Sequence, residues 1–445
     1  MSKTIIIGNG VAGITAAVNI RKLDDQEQIL VISGETKYFY SRTALMYLFM
    51  GQMAKKDLMP YEDWFWDNNK IELKQNWVKS VDFNNKLINY KDQTSESYDK
   101  LIIATGSKPN RLSGISDYIA GVQGLYSMQD LELLELNVKR AKHAVVIGGG
   151  LIGVELCEML LSRGIKVTMM VRDRHYWGNV LPLPESKMVS NHMMQHHVDF
   201  KFESSINSIS ADESKRIISI KTAQGETLPC DFLGITIGVS PNIDFLKPTE
   251  LNINRGICVD NTLKTNIEDV YSIGDCAEID NPLKNRKSVE AVWYAGRMMG
   301  ETVAHTICGN KTEYKPGVWF NSAKFFDIEY QTYGTMEVEL DANTSSFYWE
   351  ESKADTCIRF NFNEATKALV GIHALNIRLR HVICNDWIKN NTPIHKVVSE
   401  LNQAIFDAEF SKSWVKSITT SYNAEYSEQA VEQKFSWKKL LNLTK

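Results

Sequence analysis

The sequence predicts an α/β fold in which two similar βαβ units are followed by a separate α+β domain. Each unit combines a short β-branched strand, a glycine-rich turn and a helix-like stretch in the same order. After about residue 316 the pattern changes to alternating aromatic segments and then to amphipathic helical sequence. A chain of 445 residues is too long for one compact core, so two or three domains are expected.

The first unit begins with a predicted buried strand over residues 4–7 and continues into the turn Gly8-Asn9-Gly10-Val11-Ala12-Gly13. In such a turn the first glycine permits the tight bend, the second admits a pyrophosphate, and the third lets helix and strand pack closely. The N–H groups and dipole at the start of the following helix favour an anion. A helix over about residues 14–22 and a strand over residues 29–33 complete the unit.

An acidic residue at the end of the second strand usually binds the ribose of the dinucleotide. Glu35 is the candidate here, although Gly34 stands close to the expected position. The alternative is that Glu35 is a solvated turn residue.

The second unit repeats this order with a strand over residues 143–147, the turn Gly148-Gly149-Gly150-Leu151-Ile152-Gly153, a helix to about residue 161 and a strand over residues 166–171. Arg172 and Arg174 follow that strand. A planar guanidinium binds a 2′-phosphate well, so these residues favour NADPH over NADH. The alternative is that both arginines are ordinary surface charges.

Several motifs together resemble the FAD-dependent pyridine nucleotide-disulfide oxidoreductase superfamily over about residues 1–330. Within it, the chain is most similar to ferredoxin and rubredoxin reductases, to the flavin domain of nitrite reductase and to apoptosis-inducing factor. The motifs are the first glycine turn, Tyr40-Ser41-Arg42 with Leu45, residues 98–107, residues 148–155, Gly238-Val239-Ser240-Pro241-Asn242, Gly274-Asp275-Cys276-Ala277 and residues 290–295.

The resemblance implies three domains: an FAD-binding domain over residues 1–110 and 240–315, an NAD(P)-binding domain over residues 111–239, and a C-terminal α+β interface domain over residues 316–445. It implies that FAD contacts Gly8, Gly10, Val11, Ala12, Gly13, Glu35, Arg42, Val78, Ala104, Thr105, Gly106, Gly274, Asp275 and Val292. It implies that the nicotinamide dinucleotide contacts Gly148, Gly150, Leu151, Ile152, Gly153, Arg172, Arg174 and Gly238, with Glu155 positioning the nicotinamide.

Three positions depart from the family pattern. The lysine that often pairs with the counterpart of Glu155 is replaced by Tyr47, so that ion pair is broken. Thr43 replaces a proline, and Asn321 replaces an aromatic residue near the flavin. These departures predict an acceptor or a redox potential unlike those of the familiar members.

Cysteine and histidine positions limit the chemistry. None of the seven cysteines lies in the first 156 residues, whereas disulfide reductases and flavin peroxidases of this architecture need a thiolate near residues 40–50. Cys157 and Cys276 are therefore interpreted as packing residues. His192, His196 and His197 have a spacing at which two could share a metal, but no nearby carboxylate or cysteine completes the set, so no metal is predicted.

The favoured function is transfer of electrons from NAD(P)H through FAD to a small redox protein of the ferredoxin or rubredoxin type. The alternatives are an NAD(P)H oxidase or quinone reductase, and a slow redox-sensing binding protein in the manner of apoptosis-inducing factor. A net charge of −4 gives no basic field for nucleic acid, and no apolar run is long enough to span a bilayer. A cytoplasmic location is expected, and the oligomeric state stays open, a homodimer included.

Overall fold

The computed structural model describes residues 2–112, 119–351, 353, 355–406 and 413–432. By its internal contacts the chain divides into two compact units. Unit 1 comprises Met1–Met170 and Ser204–Pro316, and unit 2 comprises Val171–Glu203 and Gly317–Lys445. The three-domain division stays a prediction.

The strands are short, as is usual for an α/β protein. They are β1 (Lys3–Ile7), β2 (Gln28–Ser33), β3 (Ile71–Gln75), β4 (Val78–Asp82), β5 (Leu87–Tyr90), β6 (Ser95–Ser97), β7 (Lys100–Ile103), β8 (Ser107–Pro109), β9 (Val122–Gln123), β10 (His143–Ile147), β11 (Lys166–Met170), β12 (Val198–Lys201), β13 (Ile206–Ala211), β14 (Ile217–Thr222), β15 (Thr227–Pro229), β16 (Phe232–Ile235), β17 (Val239–Pro241), β18 (Ile257–Val259), β19 (Val270–Ser272), β20 (Ala277–Ile279), β21 (Phe320–Phe325), β22 (Ile328–Gly334), β23 (Thr344–Glu351), β24 (Thr356–Asn363) and β25 (Leu369–Leu375).

The helices are α1 (Val11–Leu23), α2 (Leu45–Phe49), α3 (Asp63–Asn68), α4 (Met128–Asn137), α5 (Leu151–Ser162), α6 (Leu183–Gln195), α7 (Trp293–Ile307), α8 (His381–Lys389), α9 (Ile394–Ser399), α10 (Leu401–Ala404) and α11 (Val415–Glu425). Across the part of the chain that the structure describes, no helix combines the length and apolar character needed to cross a membrane. The predicted helical sequence beyond residue 432 lies outside the described residues.

The first sheet of unit 1 is parallel and has the order β19-β7-β1-β2-β3. Its central strand, β1, is a continuous apolar run, and Ile5, Ile6 and Ile7 are buried, as expected for a strand covered on both faces. Two segments whose sequence runs from a strand into a glycine turn, residues 98–106 and 269–277, form β7 and β19, which extend the sheet beyond β1. The α/β prediction is confirmed.

The second glycine turn belongs to another parallel arrangement in the same unit. Strands β11, β10, β16 and β9 lie side by side in that order, with Val145 of β10 opposite Thr168 of β11 and Leu233 of β16. Helix α5 follows β10 and packs against β10 and β11. The two sheets therefore place their glycine turns in equivalent positions, at the carboxyl end of a central strand.

Unit 2 contains an antiparallel sheet of order β21-β22-β25-β24-β23. Phe347, Phe360 and Phe362 are buried on it, and helices α8 and α11 pack against its strands. The alternating aromatic segments beyond residue 316 thus form strands, and the predicted C-terminal α+β region is confirmed for the described residues.

Candidate functional site

The turn between β1 and α1 uses its three glycines in two different ways. Gly8 has a φ of +115°, and a Cβ built on it would lie 2.1 Å from the carbonyl oxygen of Ala104. A Cβ on Gly13 would lie 2.1 Å from the carbonyl oxygen of Gly8. A Cβ on Gly10 would meet no heavy atom of the described residues within 4 Å. Gly8 and Gly13 are therefore required by the fold, whereas Gly10 borders open space.

The turn between β10 and α5 repeats this geometry. Gly148 has a φ of +109°, and its Cβ would lie 2.2 Å from the carbonyl oxygen of Thr236. The Cβ of Gly153 would lie 2.3 Å from the carbonyl oxygen of Gly148, and Gly150 faces open space as Gly10 does. The same three-glycine arrangement thus occurs twice in unit 1.

The helices that follow these turns begin without a side-chain cap. Gly10 is the N-cap residue of α1 and Gly150 that of α5, and neither helix has an acidic residue in its first turn. The first N–H groups of each helix are free of side-chain partners among the described residues, and the helix dipole adds partial positive charge there. Open space beside such donors fits the pyrophosphate of FAD at one turn and of a nicotinamide dinucleotide at the other. Val11, Ala12, Leu151 and Ile152 lie in these first turns.

Glu35 has a different set of partners from the one that the sequence suggested. Its carboxylate accepts hydrogen bonds from Arg42 Nη2 at 2.7 Å, from the backbone N–H of Met128 at 3.0 Å and from the hydroxyl of Tyr40. Burial alone would raise the pKa of Glu35, but Arg42 and these hydrogen bonds lower it below its usual value. Glu35 therefore holds Arg42 in place, and its predicted contact with ribose stays a prediction.

Arg42 joins a second group of residues at the ends of the strands. Its guanidinium donates to the carbonyl oxygen of Tyr126 and lies 4.3 Å from the centre of the Tyr126 ring. The hydroxyl of Tyr126 accepts a hydrogen bond from the backbone N–H of Ser107 at 3.2 Å. Ser107 Oγ donates to Asp275 Oδ2 at 2.8 Å.

The predicted FAD residues Arg42 and Asp275 are thus joined by hydrogen bonds through Tyr126 and Ser107, whereas Thr105 and Gly106 both bond to Asn242. Thr105 Oγ1 donates to the carbonyl oxygen of Asn242 at 2.8 Å, and Gly106 has a φ of +65°. Burial raises the pKa of Asp275, although Ser107 and Arg42 oppose the increase. Sequence reasoning missed Tyr126, because a single aromatic residue in a loop carries no local signal.

The remaining predicted FAD residues are spread along unit 1. Ala104 is buried, and its N–H donates to the carbonyl oxygen of Ile7 at 2.8 Å. Gly274 has a φ of +74° and packs against Ala12. Val78 is the first residue of β4, and Val292 is the N-cap residue of α7, another helix without a side-chain cap among the described residues. Their contacts with FAD stay predictions.

Glu155 lies on α5 and is partly buried without a basic partner in the described part of the chain. Burial raises the pKa of Glu155 to about 7, and the charge of Glu158 adds to the increase. Helix α2, which carries Tyr47, packs against α5. An ionisable group with a raised pKa therefore lies on the helix that follows the second glycine turn.

The other predicted nicotinamide residues differ in their surroundings. Gly238 has a φ of +89°, and its carbonyl oxygen accepts from the N–H of Asn110 at 3.0 Å. Arg172 and Arg174 belong to unit 2 and are exposed. Arg174 Nε lies 3.1 Å from Glu203 Oε1 in an exposed ion pair, so the guanidinium of Arg174 already has a partner within the protein. The predicted NADPH contacts stay a prediction.

All seven cysteines lie among the described residues and are free thiols. Burial raises the pKa of Cys157 and of Cys276, and the thiol of Cys276 donates to the carbonyl oxygen of Ile103. A buried thiol with a raised pKa is a poor nucleophile at neutral pH.

The histidines of α6 have a neighbour that the sequence did not indicate. His192 and His196 lie within reach of Asp327 in unit 2, although His197 does not belong to the group. The prediction that no carboxylate completes a set with these histidines is wrong, because the fold brings Asp327 next to His192 and His196. Asn321 lies on β21 in the same unit.

The model of the family described as "Pyridine nucleotide-disulphide oxidoreductase" matches residues 2–300. The chain is 28% identical over 291 residues to rubredoxin-NAD(+) reductase of Acinetobacter baylyi, with 64% of this chain and 74% of the relative covered. It is 29% identical over 335 residues to the 5,5'-dehydrodivanillate O-demethylase ferredoxin reductase subunit of Sphingobium, with coverage of 74% and 81%.

A solved structure shares the fold over nearly the whole chain. The NAD-dependent persulfide reductase from A. fulgidus superposes with a TM-score of 0.84 at 21% identity, covering 96% of this chain and 83% of that one. At this identity the likeness extends to the fold alone.

Proposed function

Because the chain belongs to the pyridine nucleotide-disulphide oxidoreductase family, we propose that it carries electrons from NAD(P)H through FAD to a small redox protein of the ferredoxin or rubredoxin type. Family membership makes it an FAD-dependent oxidoreductase that uses a nicotinamide dinucleotide. The identity of the acceptor is the part that is proposed. It is supported by relatives named rubredoxin-NAD(+) reductase and ferredoxin reductase.

The observation that carries the proposal is the open space beside Gly10 and Gly150. Gly10 has a φ of −71° and Gly150 a φ of −95°, which any residue can adopt. No described side chain or backbone atom lies within 4 Å of a Cβ at either position. The fold therefore gives no steric reason for glycine there, whereas a bound pyrophosphate gives one.

Bound FAD supplies the chemistry, since it accepts a hydride and releases electrons one or two at a time. The residues of this chain bind and orient. The N–H groups at the start of α1 and α5 would hold the two pyrophosphates, and by resemblance Asp275, which accepts a hydrogen bond from Ser107, would contact FAD. Leu45, Met46 and Tyr47 occupy the region where a thiolate would stand in related disulfide reductases, so we propose that no cysteine takes part.

The acceptor is tested with tag-free, FAD-containing protein. Under anaerobic conditions NADH or NADPH should bleach the yellow protein, and added ferredoxin or rubredoxin should raise cytochrome c reduction at least about tenfold. Equally fast turnover with oxygen or a quinone in the absence of a redox protein would contradict the proposal and favour the oxidase reading. Very slow turnover with a change of oligomeric state on reduction would contradict it in favour of a redox-sensing binding protein.

We further propose NADPH as the preferred donor, on the strength of Arg172 directly after β11 and its fixed positive charge. By contrast, the name of one relative, rubredoxin-NAD(+) reductase, favours NADH as the donor. Arg172→Glu should lower the ratio of kcat/KM for NADPH to that for NADH by about tenfold or more, because it replaces attraction for a 2′-phosphate by repulsion. The exposed Arg140→Glu serves as a charge-matched control. An unchanged ratio in Arg172→Glu would refute the preference.

A further inference from the structure

Unit 2 contains a cluster of two histidines and one aspartate. His192 lies in the last turn of α6, and His196 is the residue that ends it. Their rings are one helical turn apart, with centroids 4.6 Å from each other. Asp327 lies in the turn between β21 and β22, with its Oδ2 3.3 Å from His196 Nε2. One ligand atom from each of the three residues falls within 4.8 Å of the other two.

His192 is the buried member of this cluster, with 8% of its surface exposed. Its Nδ1 lies 2.9 Å from Asp355 Oδ2, so a carboxylate holds one ring nitrogen and fixes the orientation of the imidazole. The other nitrogen, Nε2, is buried and has no hydrogen-bond partner among the described residues. A buried polar atom without a partner costs stability, and a ligand at Nε2 would remove that cost.

This arrangement matches the way proteins prepare a histidine to bind a metal. A metal-binding imidazole usually donates its second ring N–H to a carboxylate, as His192 can to Asp355. The ring of His196 stacks on Phe326 at 4.9 Å and is thereby also restrained. Asp327 is 73% exposed, so the cluster can be reached from solvent.

We propose that His192, His196 and Asp327 bind one divalent transition metal ion, with Zn²⁺ the ion expected for two imidazoles and a carboxylate. Ligand atoms around tetrahedral zinc lie about 3.4 Å apart, so side-chain rotations would have to shorten the separations of up to 4.8 Å by no more than about 1.4 Å. The metal would join the end of α6 to the β21–β22 turn within unit 2, and water would fill its fourth position. The site does not depend on the proposed redox function.

A competing explanation is that the cluster consists only of two histidine–aspartate ion pairs, His192 with Asp355 and His196 with Asp327. Ion pairs alone leave His192 Nε2 without a partner, whereas a metal does not. They also predict that Zn²⁺ binds no more tightly here than at any exposed histidine.

The test uses the full-length, tag-free, FAD-containing protein after treatment with EDTA. Zn²⁺ is titrated in competition with a chromophoric chelator, and Co²⁺ is added to a separate sample for its visible absorption. The wild type should bind one Zn²⁺ per chain, show the intense absorption of tetrahedral Co²⁺ and gain thermal stability with Zn²⁺.

Two variants and a matched control distinguish a metal site from ion pairs alone. His192→Gln and Asp327→Asn should each weaken Zn²⁺ binding by at least about tenfold. His197→Gln removes an exposed neighbouring histidine outside the cluster and should leave binding unchanged. If His192→Gln does not fold, Asp327→Asn on its exposed turn still tests the site. Zn²⁺ binding that is the same in the wild type and Asp327→Asn, or that falls as far in His197→Gln, would overturn the proposal.

Discussion

At the scale of single residues, the glycines of one motif are required for different reasons: some because a side chain would clash with the fold, and others because a ligand is expected beside them. The motif spacing was sufficient to predict both dinucleotide turns, because tight bends and close helix packing demand glycine at fixed positions. It could not separate Gly8, pressed against the carbonyl of Ala104, from Gly10, which borders open space. That difference depends on Ala104, which directly follows β7 and is far from Gly8 in sequence.

Glu35 illustrates a second limit of sequence reasoning. Its position after β2 suggested a ribose contact, but Arg42, Tyr40 and the N–H of Met128 already use its carboxylate oxygens. Met128 is 93 residues away from Glu35 in sequence, so no local pattern around Glu35 predicts this contact. The resemblance named Arg42 as a candidate FAD residue, whereas its hydrogen bond with Glu35 could be found only from the fold.

Glu155 gives a pH-dependent prediction at the same scale. Its pKa is raised to about 7, so it gains a negative charge as the pH rises through neutrality. Since Glu155 is predicted to lie beside the nicotinamide dinucleotide, this charge should repel its phosphates, and the affinity for the dinucleotide should fall about two- to fivefold between pH 6 and pH 8. The dissociation constant of the oxidised dinucleotide, measured across this range, checks the prediction.

Two variants control that measurement. Glu155→Gln has no charge to gain, so its affinity should not show the transition near pH 7. Glu158→Gln removes the neighbouring charge that raises the pKa of Glu155, and the transition should move to lower pH. An identical pH profile in the wild type and Glu155→Gln would show that Glu155 does not face the dinucleotide.

At the scale of elements, buried strands and their helices were the most predictable part of the fold. Strand β10 has the predicted bounds, and β1 and β2 each begin one residue earlier than predicted. A continuous apolar run next to a glycine turn defines both ends of a buried strand well. The small antiparallel sheets β4-β5-β6 and β13-β14-β15 were not predicted. Their strands are short and partly exposed, so their alternation is weak.

The packing of α1 against α7 gives a prediction about a helix pair. A Cβ on Gly300 would lie 2.5 Å from the carbonyl oxygen of Ala12 and 2.9 Å from Thr15 Cβ, so Gly300→Ala should push the helices apart. Overpacking of this kind costs about 1–3 kcal/mol in the free energy of unfolding. Denaturant unfolding of the FAD-containing protein measures the loss.

Gly296 on the same helix is the matched control. The nearest atoms to its Cβ would be Val11 Cγ1 at 3.4 Å and Ala12 Cβ at 3.5 Å, which are ordinary contacts. Gly296→Ala should therefore leave stability unchanged or raise it by up to about 1 kcal/mol through helix propensity. Equal destabilisation in both variants would mean that helix contact is not what requires Gly300.

At the scale of the whole molecule, each unit combines segments that are distant in sequence. The sequence indicated such an association for the first sheet but not for residues 171–203. Segments 98–106 and 269–277 resemble strands that lead into glycine turns, and this similarity indicated that they share a sheet with β1. Residues 171–203 carry no comparable sign that they belong with the C-terminal sheet. Their contacts with that region are long-range in sequence, such as Glu185 with Arg359, His192 with Asp355 and the ring of Trp177 against Phe325.

The central claim is that unit 1 holds FAD beside Gly10 and a nicotinamide dinucleotide beside Gly150, and a pair of variants tests it most directly. Both positions have ordinary φ values and open space, so valine is compatible with the fold there. The side chain of valine would occupy the space in which the pyrophosphate is expected. Gly10→Val should remain folded by circular dichroism but lose FAD affinity at least about a hundredfold. Gly150→Val should keep FAD and its reduction by dithionite, yet lose reduction by NAD(P)H. Normal FAD binding in Gly10→Val, or normal reduction by NAD(P)H in Gly150→Val, would contradict the claim.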